Sequence, residues 1–249
     1  MVAPDVTPIE SAPEVSDLFP DGRVEVRRVI AHAGHREALF PEELDATLEM
    51  APRRLDEFAS ARAAAHDALR SLGSVTAVPR GEQRQPVWPT GITGAITHTR
   101  GHCMAAVALR STPGESGEFV IGLDAEERER VSPRVARRIL VDAEKQRLEL
   151  VADPEERQRL VSATFGLKEA FYKAHHQLEE RYLGFDVIEV ELDDNGLASF
   201  TSTGAELSVD PGSEVSGRVT EIDGRMIAAV WIQRTVRSTS HPSRIPSAP

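Results

Sequence analysis

Lysine is nearly absent from this chain of 249 residues. Of its 29 basic residues, three are lysines (Lys145, Lys168 and Lys173) and 26 are arginines. Cysteine is scarcer still. Cys103 stands alone, which excludes an intrachain disulfide and fits a reducing cytoplasm. No basic residue precedes Arg23, so neither a secretory signal nor an Arg-rich transit segment is expected. The longest apolar runs, CMAAVAL (103–109) and MIAAVWI (226–232), are too short to span a bilayer, and no membrane partner is expected. Positive charge is lacking overall: a net charge of −11 gives no global field for nucleic acid or anionic lipid. A bound anion must therefore be met locally, by placed Arg and Lys. Also missing are a Cys/His metal cluster, a Gly-x-Ser-x-Gly elbow, a P-loop and a Gly-x-Gly-x-x-Gly turn, and with them the common hydrolase and nucleotide motifs.

What remains is a globular composition, 40% hydrophobic and 28% charged, long enough for one large domain or two modest ones. Residues 1–20 carry four prolines and read as a loose N-terminal arm; residues 235–249 read as a disordered tail. RVEVRRVIA (23–31) alternates like a strand. Helices are predicted from Pro41 and from Pro52, the second stopping at Gly73. A Pro- and Gly-rich loop leads to three strand candidates: AITHT, CMAAVALR and EFVIGLDAE. Ser132-Pro133 and Asp153-Pro154 read as cap-plus-proline helix starts. The chain ends in strands, with Asp223-Gly224 as a hairpin turn. This order predicts an α+β fold in two halves of similar size, residues 21–122 and 123–234, with no sequence repeat between them.

Several residues break the apolar pattern. On the helix from Pro52, Arg62 shares the stripe of Leu55, Phe58, Ala65, Leu69 and Leu72, and Arg54 lies one turn before Phe58. Arg62 taken alone reads as a snorkelling side chain at the stripe edge. The alternative is a pair of guanidinium forks facing a buried anion. Asp124 and Glu126 share one face at the end of an apolar strand; alone they read as a solvated strand end. In ATFGLKEAFYKAHH (163–176), Leu167, Phe171 and Ala174 form one stripe, while Phe165, Glu169 and Tyr172 lie on the far side. Glu169 and Lys173 at i,i+4 could be an ordinary surface pair, worth ~0.3–0.5 kcal/mol. A helix apolar on two sides is instead sandwiched, leaving Glu169 partly buried and in need of a cation or hydrogen bonds. Asp124, Glu126 and Glu169 together would make an oxygen-rich site suited to Mg²⁺, with Lys168 and Lys173 placed around a phosphate.

The segments RRLDEFASAR, PVWPTGITGAITHT, IGLDAE and FGLKEAFYKA, followed by LGF, resemble in order and spacing the Sfp/EntD type of phosphopantetheinyl transferase. They cover most of residues 52–185. The resemblance implies two similar halves related by a pseudo-two-fold, often in a monomer, with the active site at their interface. It implies transfer of the 4′-phosphopantetheine arm of coenzyme A to a serine of an acyl or peptidyl carrier protein, releasing adenosine 3′,5′-bisphosphate. By the same resemblance Asp124, Glu126 and Glu169 are metal-binding carboxylates, with Glu169 also the general base. Arg54 and Arg62 serve the 3′-phosphate, Arg80 lies in the coenzyme-binding loop, and Thr97 and His98 touch phosphates. Lys168 and Lys173 are the signature lysines that meet the diphosphate. Two positions depart from the pattern: Ala95, where Ser is common, and Gly166, where Ser, Cys or Ala is usual. Two other functions stay open on the residues: a Mg²⁺-dependent phosphohydrolase, and an inactive coenzyme A or carrier-protein binding module.

Overall fold

β4 (His102–Leu109) and β9 (Arg225–Arg234) are almost uniformly apolar because each is buried on both faces. The computed structural model describes residues 7–111, 117–128, 131–203 and 213–234. One antiparallel sheet has the order β1 (Glu10–Ser11), β2 (Glu25–Ile30), β4, β3 (Ile92–Thr99). The other runs β5 (Glu118–Glu127), β9, β8 (Ser213–Ile222), β7 (Leu197–Ser202), β6 (Ile188–Leu192). Alternation assigns every side chain. From β4, Cys103, Ala105 and Val107 pack with Ala61, Ala64, Ala65 and Leu69 of helix α3 (Pro52–Ser71). Met104, Ala106 and Ala108 point the other way, into a core shared with Phe119, Ile121 and Leu123 of β5. From β9, Met226, Ala228 and Val230 pack with Leu167, Ala170 and Phe171 of helix α6 (Pro154–His175). The layers are therefore helix, sheet, sheet, helix: two halves on one plan, each a long helix laid on an antiparallel sheet.

Local chemistry explains the boundaries. Pro52 and Pro154 occupy first-turn positions. α3 ends where Gly73, at φ +76°, lets Ser74 N–H reach Leu69 O. Asp223 (φ +50°) and Gly224 (φ +72°) make the β8–β9 turn. The helix expected from Pro41 is a single turn, α2 (Pro41–Leu44), running into a 3₁₀ turn. Helices α4 (Pro133–Ile139) and α5 (Asp142–Glu149) precede α6. No helix among the described residues is long and apolar enough to cross a membrane.

Two expected boundaries need correction. Residues 7–20 are not a loose arm. Glu10 and Ser11 pair with β2, and Ala12, Val15 and Phe19 are buried around α1 (Pro13–Ser16). Two of the prolines read there as disorder, Pro13 and Pro20, open short helical turns instead. The division at 122/123 falls inside β5, which runs unbroken; the chain changes sheets between β4 and β5. Residues 1–6 and the expected tail, 235–249, lie outside the described residues.

Candidate active site

The even-numbered face of β5 meets α6 at unusually short range. A Cβ on Gly122 would lie 1.8 Å from the carbonyl oxygen of Ala170, so only glycine permits this crossing. The approach carries Lys173, one turn further along α6, to Asp124. Its Nζ donates to Asp124 Oδ1 at 2.7 Å and to Leu123 O at 3.0 Å. Asp124 is buried, and Thr97 Oγ1 also donates to Oδ1, at 3.2 Å. Among the described residues, Asp124 Oδ2 is buried without a partner. A Cβ built on Gly166 would stand 3.8 Å from that oxygen, so the glycine leaves open space beside it.

Glu169 is half-buried one turn before Lys173. Burial pushes its carboxyl above the usual range; the charge of Asp124 adds to the shift and Lys173 opposes it. The Glu169–Lys173 surface pair is not formed, because the Lys173 ammonium goes to Asp124. Glu126 lies two residues beyond Asp124 on the same strand face, half-buried. The expected three-carboxylate cage is not assembled: among the described residues no three His, Cys, Asp or Glu groups are gathered to hold a metal ion. Asp124 and Glu169 fit a cation nonetheless. One offers an orphaned buried oxygen, and the other feels its neighbour's charge.

Lys168 requires a correction. Around a helix it lies about 140° from Lys173, and it points away from Asp124. Its Nζ donates to Ile139 O and Phe185 O, each at 2.9 Å, and pairs with Glu144 Oε2 at 2.8 Å. Three acceptors saturate three donors, in a site where Lys168 and Glu144 are both buried. Lys168 therefore bolts α4, α5 and the 185 turn to α6 and has no donor left for a phosphate.

Thr97 and His98 are neighbours on β3 and point to opposite faces. Thr97 Oγ1 accepts from Ala125 N–H at 3.1 Å while donating to Asp124, so it positions the carboxylate and its proton is not available to a phosphate. Thr93 makes a matching bond to Ile121 N–H. These hydroxyls stitch β3 to β5 where no ladder exists. Gln177, which the sequence reading missed, completes the seam. It accepts from Thr93 Oγ1 and Gly94 N–H and donates to Ile121 O. Ala95, between the two threonines, faces the core between the sheets.

His98 opens onto a cavity of about 790 Å³ lined by Arg54, Phe58, Arg62, Arg80 and Arg84 among others. Arg54 donates to His98 Nε2 at 2.7 Å and is steered by Glu57 Oε2 at 3.5 Å. Burial, then the charge of Arg54, pushes the His98 imidazole down to about 4, so it is neutral near pH 7. Arg62 does not snorkel. It is 5% exposed, its Nε donates to Val78 O at 2.6 Å, and its guanidinium lies over the Phe58 ring at 4.3 Å. Burial pushes it down to about 10, with Arg54 and Arg80 adding their repulsion against the pull of Glu43. Several cations gathered at one cavity, one of them buried, suit an anion carrying more than one charge. A second cavity, of about 260 Å³, is lined by Glu169, Tyr172 and Lys173 on α6 and by Trp88 opposite. Arg84, Pro86 and Ile96 line both cavities, so the basic cavity and the Glu169 side adjoin.

Two family models match the chain. The 4′-phosphopantetheinyl transferase N-terminal domain matches residues 41–108, and the 4′-phosphopantetheinyl transferase superfamily matches residues 120–229. The gap between them is where the chain passes from β4 to β5. The chain is 32% identical over 207 residues to the 4′-phosphopantetheinyl transferase Svp of Streptomyces mobaraensis, covering 82% of this chain and 80% of that one. It is 30% identical to the 4′-phosphopantetheinyl transferase Npt of Nocardia iowensis, over 76% of this chain and 87% of that one. It is 29% identical to the 4′-phosphopantetheinyl transferase PptT of Mycobacterium tuberculosis, over 77% and 85% respectively.

Proposed function

The chain belongs to the 4′-phosphopantetheinyl transferase family, and from that premise we propose how its own residues move the phosphopantetheine arm of coenzyme A onto a carrier-protein serine. The observation that supports the reading best is the adjacency of two cavities. One is lined by Arg54, Arg62, Arg80 and His98, the other by Glu169 and Lys173.

The basic cavity takes the 3′-phosphate end of the coenzyme, and the diphosphate lies toward Lys173. Glu169 accepts the serine proton. The serine oxygen forms a bond to the phosphorus bearing the arm, and the bond from that phosphorus to the bridging oxygen breaks. The electron pair leaves on adenosine 3′,5′-bisphosphate. Raised by burial, the Glu169 carboxyl is a stronger base than an exposed one once ionised. Lys173 holds Asp124 in place and brings a compact positive charge to the diphosphate. Arg54 and Arg62 position the reacting centre through the remote phosphate. His98, neutral before binding, becomes a donor at both ring nitrogens as phosphate charge draws a proton to it. Mg²⁺ is part of the proposal: Asp124 through Oδ2 and Glu169 would hold it, and it would neutralise charge on the diphosphate.

The carrier is an acyl or peptidyl carrier protein, and we place the enzyme in the cytoplasm as a monomer. Cys103 is buried, and burial pushes its thiol up to about 12, so it is an unreactive core residue. The test is incubation with coenzyme A, Mg²⁺ and apo carriers of both kinds, read by intact mass. Transfer adds the arm to the carrier. Release of phosphopantetheine without a modified carrier would make the protein a phosphohydrolase, and binding without either product would make it an inactive module.

A further inference from the structure

Arg84 is held in a backbone conformation that favours glycine. Its N–H donates to Gly81 O at 2.9 Å, and Gly81 N–H donates to Gln85 O at 2.8 Å. A bridge between Arg80 and Pro86 continues the hairpin. This is a three-residue loop, Glu82-Gln83-Arg84, in which the last residue must be left-handed; Arg84 has φ +69°. Four described non-glycine residues have positive φ. Asp21 and Asp223 are of a type that tolerates it. Arg100 pairs with Glu127 at 2.7 Å. Arg84 has neither excuse: it is neither Asp nor Asn, and no ion pair or side-chain hydrogen bond to a described residue holds it. Glycine is the residue that would relieve the turn, so what arginine adds there is its side chain.

The surroundings indicate what that side chain meets. Arg84 lines the basic cavity with Arg54, Arg62, Arg80 and His98, and it also lines the cavity that holds Glu169 and Lys173. A ligand that reaches from the first to the second passes it. The middle of such a ligand is a diphosphate, and a guanidinium fork matches two phosphate oxygens at once. We propose that Arg84 is a binding residue for the diphosphate of coenzyme A, distinct in role from Arg54 and Arg62 at the 3′-phosphate. The inference rests on the transferase reading above.

The experiment is calorimetric binding of coenzyme A and of 3′-dephospho-coenzyme A to the wild type, Arg84→Gly and Arg84→Lys, with a melting temperature for each. Arg84→Gly keeps the turn and should melt no lower than wild type. It should bind both ligands about tenfold more weakly, because both retain the diphosphate. Arg84→Lys should recover part of the loss. Unchanged affinity for both ligands in Arg84→Gly would overturn the proposal, as would a loss confined to coenzyme A, which would assign Arg84 to the 3′-phosphate. A loss seen only in the KM for the carrier would overturn it in favour of a carrier contact. Wild-type protein that binds neither ligand would remove the transferase reading itself, and the inference with it.

Discussion

Lys173 on α6 reaches Asp124 on β5, with Nζ 2.7 Å from Oδ1, and leaves Oδ2 as a buried oxygen with no partner among the described residues. The pair joins helix to strand at the crossing that Gly122 makes possible. It also fixes the polarity of the site: a cation on one side of the carboxylate, and open acceptor capacity on the other. Lys173→Met should leave the Asp124 charge buried and unpaired, costing about 1–3 kcal/mol of stability and most of the turnover. Lys173→Arg keeps the charge but replaces an ammonium with a wide fork, so turnover should still fall. A surface pair with Glu169 would instead cost under ~0.5 kcal/mol and leave turnover intact. Melting temperature and turnover of the two variants separate these outcomes.

Lys168 should behave as a structural residue. Removing it strands Glu144, which is 3% exposed. Breaking such a buried pair costs roughly 3–5 kcal/mol. Lys168→Met should therefore show a large fall in melting temperature, and the molecules that remain folded at low temperature should bind coenzyme A nearly as well as wild type. Selective loss of coenzyme affinity with unchanged melting would return Lys168 to the phosphate.

Arg54 gives the cleaner test of the 3′-phosphate, because Arg62 also carries Val78 and covers Phe58. Arg54→Ala should weaken coenzyme A by ten- to a hundredfold, about 1.4–2.8 kcal/mol, with little effect on 3′-dephospho-coenzyme A. Competition binding with both ligands reads this directly; equal losses would contradict the assignment.

His98 should titrate near 4 in the free protein. Its folded value lies below that of an unfolded histidine, so between the two values the unfolded chain binds more protons. Its contribution to stability is therefore lost as pH falls from about 6.5 towards 4. Adenosine 3′,5′-bisphosphate should raise the titration point, since an anion favours imidazolium. Ring-proton chemical shifts across pH, with and without the bisphosphate, measure both. A value that stays put on binding would separate His98 from the phosphates.

The periodic elements were legible because their punctuation is local: Pro52, Gly73, Asp153-Pro154 and Asp223-Gly224 each act on the backbone within a few residues. Asp124, Glu169 and Arg62 were legible as polar residues in apolar patterns. Partners were not. The acceptor of Lys173 lies 49 residues away on β5, and the partner of Lys168 lies on α5, a helix the pattern did not expose. Helical spacing alone already put Lys168 on the wrong side for a shared phosphate. Thr97 was expected at the phosphates because the resemblance pairs it with His98, yet alternation along β3 turns it into the seam. Residues 7–20 were misread because proline density was weighed above the spacing of Ala12, Val15 and Phe19.

The central claim is that Glu169 takes the serine proton. It is tested most directly by the turnover of Glu169→Gln on an apo carrier protein, with coenzyme A binding and melting measured alongside. The amide keeps the shape and one acceptor but loses the base. Turnover should fall by about 10²–10⁴ while the protein melts at or above the wild-type temperature and still binds coenzyme A. The wild-type rate should fail on the acid side as Glu169 protonates, above the usual carboxylate range because burial raises it. Turnover of Glu169→Gln within twofold of wild type, with the same acid limb, would contradict the account.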